Sequence, residues 1–315
     1  MNDIHRLQHW FSSRRGRMVS IAVLIVALAG AAIGVRGWRG DDKSGIPAPT
    51  PSTEGPTSMV GRAPLTGLPT AEDLDRPAVT VKISNTPDAH PQRGLADADI
   101  VFVEPITGGT TRLAAIFHSK LPAQVGPVRS LRPMDAALIG PTKGIVADTM
   151  ADRWVLDYVD RVADLDDLGT LRVPADTYRL DDTRQASSVT IGYGGSATAN
   201  WTYDTASHRW LRAEKWSRHV IENDGQVAAD NVIMLTANRD TSFPKAKPTM
   251  TILDVFDASG PLKLFTGDKV VTGRWSKGAV NESFKFTTTD GKPMLLAPGT
   301  TWVECALTTM PIQTR

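Results

Sequence analysis

The feature that most constrains this 315-residue chain is an uncharged run near its start, Met18 to Val35 (MVSIAVLIVALAGAAIGV). At a helical rise of about 1.5 Å per residue, such a run approaches the roughly 30 Å of bilayer hydrocarbon. Arg6, Arg14, Arg15 and Arg17 precede it, whereas Arg36 and Arg39 are soon followed by Asp41 and Asp42. Positive charge resists translocation, so the expected topology keeps residues 1–17 in the cytoplasm and sends everything after residue 36 outside. A buried soluble helix would need a polar face, which this run lacks.

The run also permits processing. Ala27-Leu28-Ala29 is a small-x-small triplet of the kind signal peptidase cleaves, and cleavage there would make the protein secreted. The apolar stretch continues past it to Val35, which favours an uncleaved, single-pass transmembrane helix over 18–35. Leu28-Ala29-Gly30 begins like a lipoprotein box, but Ala31 stands where a cysteine would carry the lipid. Ser13-Arg14-Arg15 matches a twin-arginine signal weakly, with Arg17 in place of the usual aromatic.

Residues 36–61 follow as a linker in which Pro47, Pro49, Pro51 and Pro56 alternate with Ser, Thr and Gly. Proline fixes φ and removes donors, so the linker reads as an extended tether of about 3 Å per residue. The remainder has the means to fold: 41% of the chain is hydrophobic. The 35 Lys+Arg nearly cancel the 34 Asp+Glu, which argues against bulk binding to nucleic acid. A single cysteine excludes an intramolecular disulfide and a Cys-rich zinc site.

Short apolar runs mixed with helical stretches point to an α+β fold, a mixed α/β domain over 62–185 followed by a mainly antiparallel β domain over 186–315. In the first, residues 78–83, 99–104, 112–117 and 145–147 read as strands, and 131–139 and 152–162 as helices. In the second, strands are expected at 189–193, 200–203, 231–235, 250–256, 269–275, 282–287 and 302–305. Asp224-Gly225, Asp290-Gly291 and a corner at Asp257 to Pro261 separate them.

An ordered set of motifs runs through the first domain. It comprises Pro64-Leu65-Thr66-Gly67-Leu68-Pro69, Pro91-Gln92-Arg93-Gly94-Leu95, Gly108-Gly109 with Thr111-Arg112, and Gly126-Pro127-Val128-Arg129-Ser130-Leu131-Arg132-Pro133. With Trp201-Thr202-Tyr203-Asp204, Gly273-Arg274-Trp275 and Pro298-Gly299-Thr300-Thr301-Trp302 in the second half, the chain resembles the YerB-like lipoprotein family of bacteria over most of residues 64–304. The resemblance implies an extracytoplasmic protein of two joined domains and supplies no reaction. Two departures stand out. Family members are commonly lipidated at a cysteine, replaced here by Ala31, and the segment between Tyr178-Arg179-Leu180-Asp181-Asp182 and Ser187-Ser188-Val189 is shorter than the family pattern implies.

Most catalytic signatures are missing. His90, His118, His208 and His219 show no ligand spacing, and Asp164 to Gly169 fails as a calcium loop, so no metal or cofactor is expected. Gly192 to Ala197 has the G-x-G-x-x-A spacing, but Trp201-Thr202-Tyr203 follows instead of a phosphate-binding helix, and a turn is the better reading. What remains is a polar set in the first domain: Asn85, Glu104, Arg112, Arg129, Ser130, Arg132 and Asp135. Converging guanidinium forks bind carboxylate or phosphate bidentately, so this set is the candidate ligand site. The bland alternative is that Arg112 or Arg132 pairs with Glu104 or Asp135 to fix loops.

Two functions follow as expectations. One is an envelope protein that binds an anionic wall polymer or a protein partner through an arginine-rich cleft. The other is an extracytoplasmic hydrolase of wall glycan with Glu104 paired to Asp135 or Asp148, which needs carboxyls about 5 to 9.5 Å apart.

Overall fold

A computed structural model describes residues 61–163, 184–195 and 197–315. The expected membrane segment at 18–35, the linker up to residue 60, the Asp164 to Gly169 loop and the shortened stretch at 178–182 lie outside the described residues. Among the described residues no helix is long and apolar enough to cross a membrane.

Nineteen strands and two α-helices make up the described part: β1 (Gly61–Arg62), β2 (Pro69–Thr70), β3 (Val79–Ser84), β4 (Ile100–Ile106), β5 (Thr110–Phe117), α1 (Asp135–Ile139), β6 (Ile145–Ala147), α2 (Arg153–Val162), β7 (Arg184–Gln185), β8 (Ser188–Gly194), β9 (Ala197–Asp204), β10 (Arg209–Glu214), β11 (Val220–Ile221), β12 (Gly225–Gln226), β13 (Ala228–Ala229), β14 (Asn231–Ala237), β15 (Ala258–Thr266), β16 (Lys269–Lys277), β17 (Lys285–Thr288), β18 (Thr301–Leu307) and β19 (Ile312–Thr314). A ten-stranded sheet in the order β17-β16-β15-β14-β18-β4-β5-β3-β6, with β7 beside β16, dominates the fold. A five-stranded sheet, β13-β10-β9-β8-β19, covers one of its faces.

The strands record this layering in their composition. β4 (IVFVEPI), β14 (NVIMLTA) and β18 (TWVECAL) are almost continuously apolar because the large sheet is covered on both faces. β8, β9 and β10 alternate buried and partly exposed positions, as a sheet with one wet face must. Two apolar clusters result. One joins Ile100, Phe102, Ile116 and Val303 to α1 and α2, and the other joins Val101, Val103, Leu113 and Trp302 to Trp201 and Trp210 of the smaller sheet.

The α+β expectation is corrected: the fold is mostly β, and the strands of 62–185 do not form a separate mixed layer. β4 pairs in parallel with β18 from near the C-terminus, which makes β3 to β6 part of the same sheet as β14 to β17. Helix is scarce for a local reason. The expected helix 131–139 begins only at Asp135, because Pro133 disfavours helical backbone at the preceding Arg132 and the Asp135 carboxylate takes the Arg132 amide at 2.6 Å. It ends after five residues, where Pro141 forces a tighter turn over Gly140–Thr142.

Two other expectations change. The run 250–256 is buried at Ile252, Leu253 and Val255 but forms no strand, being tied by single backbone bonds to Asn238 and Asp240. The corner expected at Asp257 to Pro261 opens β15 instead. Gly260 is there for close packing, since a Cβ would sit 2.2 Å from the Thr236 carbonyl and 2.6 Å from Trp275 Nε1. Pro261 is tolerated because β14 pairs with β15 only from Leu262 onward.

Candidate functional site

Alternation along three neighbouring strands aims polar side chains at α1. Lys82 of β3, Glu104 of β4 and Arg112 of β5 share the face that carries Phe102 and Ile116, and Glu104 and Arg112 are cross-strand partners. The N-terminus of α1 adds Asp135. Lys82, Glu104 and Asp135 are completely buried. The Lys82 ammonium donates to Glu104 Oε1 and to Asp135 Oδ1, the latter at 2.6 Å, so one cation sits between two carboxyl groups.

The arginines lie beside this triad. Arg112, only 8% exposed, donates through Nη1 to the Ser130 hydroxyl at 2.5 Å, and Arg132 donates through its own Nη1 to the same hydroxyl at 3.0 Å. Ser130 therefore bridges two guanidinium groups. The Nε–H of Arg112 and that of Arg132 are both buried without a partner, as is Glu104 Oε2. Arg129 is held to β3 by its backbone amide, which donates to the Lys82 carbonyl at 2.8 Å.

Charge is unevenly compensated here. Burial, and then the negative charge of Asp135, push the Glu104 carboxyl up to about 8, with the Lys82 ammonium opposing the rise. Burial, and then repulsion from Arg132, bring Arg112 down to about 10, with Arg129 adding to the effect. Burial raises the half-buried Asp148 too, and the nearby Asp135 charge adds to the rise. Three arginines thus crowd together, while Glu104 and Asp135 are engaged by Lys82.

Of the seven expected site residues, five come together: Glu104, Arg112, Ser130, Arg132 and Asp135. Arg129 flanks them, close enough to act on Arg112. Asn85 does not join them. It turns to the opposite face of the large sheet, where its amide donates to Thr111 Oγ1 at 2.7 Å and Glu214 Oε1 at 2.8 Å. The expected ligand-approach loop at Gly108-Gly109 is also reassigned: a Cβ on Gly109 would meet the Gly194 backbone at 2.6 Å, so these glycines let two hairpin tips touch.

Asn85 belongs to a second buried network between the two sheets, which spacing in the sequence did not reveal. Arg212 donates to Glu304 Oε1 at 2.9 Å, to Glu214 Oε1 and to His219 Nδ1 at 2.7 Å. Since Nδ1 accepts, His219 Nε2 carries the proton and donates to Gln92 Oε1 at 2.9 Å. Tyr193 and Trp201 complete the Glu304 carboxylate, the Trp201 indole donating at 2.8 Å. Burial, and then the Arg212 charge, hold His90 down at about 4 and His219 well below its ordinary value. Four of the five tryptophans of the β-rich half are buried, and Trp216, packed edge-on against His90, is 38% exposed. Among the described residues no three His, Cys, Asp or Glu side chains group as metal ligands.

Comparison with known proteins gives these features a setting. Residues 65–198 match the model described as "Protein of unknown function (DUF3048) N-terminal domain", and residues 189–303 match its C-terminal counterpart. The chain is 50% identical over 72 residues to "Putative lipoprotein YerB" of Bacillus subtilis (strain 168), a stretch spanning 22% of this chain and 22% of that protein. The crystal structure of the YerB protein from Bacillus subtilis shares the fold with a TM-score of 0.66 at 26% identity, covering 80% of this chain and 99% of that one. Two family models in sequence order and a common fold over nearly the whole YerB structure make this chain a member of the YerB-like family.

Proposed function

We propose that this chain is a membrane-associated, extracytoplasmic protein of the bacterial envelope that holds an anionic group of a wall polymer or a protein partner through Arg112, Arg129 and Arg132. The address rests on the apolar run at 18–35 with its arginine flank and on the lipoprotein name of its relative. The observation that carries the binding role is the pair of buried, unpartnered Nε–H groups on Arg112 and Arg132. A buried donor without a partner costs about 1–3 kcal/mol, and an anion bridging the two forks would recover it.

Binding is favoured over glycan cleavage by the position of Lys82. Its ammonium fills the space between Glu104 and Asp135, and all three side chains are shut away from solvent. A sugar and its attacking water would have to displace a buried ion pair to stand between those carboxyls.

The test is retention of the full-length chain on purified wall material carrying its anionic polymers. Arg129→Ala/Arg132→Ala is expected to weaken retention about ten-fold or more, as loss of one charge-assisted contact implies, with the thermal midpoint nearly unchanged. Equal retention of the variant and the parent refutes the arginine site.

A further inference from the structure

The arginine cluster holds more unspent donors than one carboxylate can absorb. A hydroxyl oxygen has two lone pairs, and those of Ser130 accept from Arg112 Nη1 at 2.5 Å and Arg132 Nη1 at 3.0 Å. The Ser130 hydrogen is therefore left to donate, and among the described residues it has no acceptor. Every side-chain hydrogen bond of Arg112 and Arg132 leaves through Nη1, to Ser130 or to the Leu131 carbonyl. Nε and Nη2 of both are uncommitted among the described residues. Arg93 shows what that pair of nitrogens does elsewhere in this chain, where its Nε and Nη2 hold the two oxygens of Glu222.

Positive charge is in excess as well. Among the described residues Arg112, Arg129 and Arg132 form no ion pair. Lys82 already occupies Glu104 and Asp135, and the Asp148 carboxylate takes the backbone amides of Leu131 and Ala151. Asp88, which feels the Arg129 charge, is exposed to water. Arg132 and Arg129 each add to the lowering that burial imposes on Arg112. The cluster is half-open: Arg112 and Ser130 are buried, whereas Arg129 and Arg132 are only partly so.

We infer that the group held here is a phosphate monoester, an inference that rests on the arginine reading above and narrows its anion to one chemical class. A carboxylate brings one negative charge and two oxygens in a plane. A phosphate monoester brings close to two charges and three terminal oxygens at the corners of a tetrahedron, enough to meet two guanidinium groups and the Ser130 hydroxyl from different sides. A phosphodiester, with one charge and two free oxygens, falls short on both counts. A phosphorylated lipid and a free phosphate ester carry the same group.

Calorimetric titration of the full-length chain with glycerol 3-phosphate tests the assignment. Its binding is expected to be about ten-fold tighter or more than that of succinate, which spreads the same charge over two planar groups, and than that of glycerol methyl phosphate, the matching diester. Arg132→Gln, at a half-buried position, should weaken glycerol 3-phosphate about ten-fold or more, and Ser130→Ala gives a second reading should Arg132→Gln fold poorly. Dihexanoyl phosphatidic acid below its micellar concentration distinguishes the sources: tighter binding than glycerol 3-phosphate supports a lipid head group, and equal binding supports a free phosphate ester. Equal affinity for succinate or for the diester, or an affinity unchanged in both variants, overturns the phosphate monoester. Arginine-dependent retention on wall material without glycerol 3-phosphate binding overturns it too and leaves the anion site standing, whereas loss of both ends both readings.

Discussion

Glu104→Gln separates a neutral buried acid from a buried carboxylate. In the folded chain Glu104 is held at about 8, against about 4.5 for an ordinary glutamate, because burial and then Asp135 oppose its charge. A carboxyl raised in the fold stabilises the fold fully below its unfolded value, and that contribution is lost as pH rises through the folded value. Between about 4.5 and 8 the native state keeps a proton that the unfolded chain releases, so stability falls by up to about 1.4 kcal/mol per pH unit. Across the whole window this amounts to on the order of a few kcal/mol, the opposing pull of Lys82 being already contained in the raised value. Glutamine is neutral throughout and keeps the shape. Urea unfolding of the full-length chain at pH 5, 7 and 9 should therefore show a parent that loses stability relative to Glu104→Gln as pH rises, with the variant the more stable at pH 9. Parallel curves for the two proteins would refute the raised Glu104 carboxyl.

The remaining predictions touch other parts of the molecule. Acid should loosen the network between the sheets: with His90 held at about 4 and His219 also lowered, the folded chain binds fewer protons than the unfolded one below the ordinary histidine range. Stability then falls as pH drops from about 6.5 toward 4, and His90→Gln should flatten that fall in urea midpoints at pH 7 and 5. Lys82→Met should cost about 3–5 kcal/mol at pH 7 by leaving buried acid groups without their cation, and Lys82→Met/Glu104→Leu should recover part of that loss. Gly109→Ala should destabilise by more than about 2 kcal/mol, since its φ of 65° is joined by the clash with Gly194, whereas Gly225→Ala, at φ 80° in open space, should cost only about 1 kcal/mol. Thermal midpoints of the two glycine variants provide the comparison.

What the sequence makes legible is the placement of strands whose buried faces are apolar. Val79–Ser84, Ile100–Ile106, Asn231–Ala237 and Thr301–Leu307 fall within two residues of their expected starts, because Val, Ile and Phe with period two have few other solutions. β10 escapes for the opposite reason. In RWLRAE the inward positions are Trp210, Arg212 and Glu214, so its buried face is mostly charged and imitates an exposed turn. The run at 250–256 errs the other way, since its apolar residues report burial and carry no information about backbone pairing. Sheet membership is harder still: β4 beside β18 joins residues about two hundred positions apart, which no local pattern encodes.

The same distance hides the polar sites. Glu104, Arg112, Ser130, Arg132 and Asp135 can be collected from motif order, since they bracket one hairpin and the entry to one short helix. Lys82, the cation that organises them, sits in VTVKIS and looks like an ordinary edge residue of a half-wet strand. Only when both faces of the sheet are known to be covered does a mid-strand lysine demand partners, and those lie 22 and 53 residues away. Arg212 and Glu304 are 92 residues apart and present the same problem. A charge inside an otherwise apolar strand is thus a conditional signal: it becomes evidence for a buried network once layering is established, and layering in this chain is decided by long-range parallel pairing rather than by the strand itself.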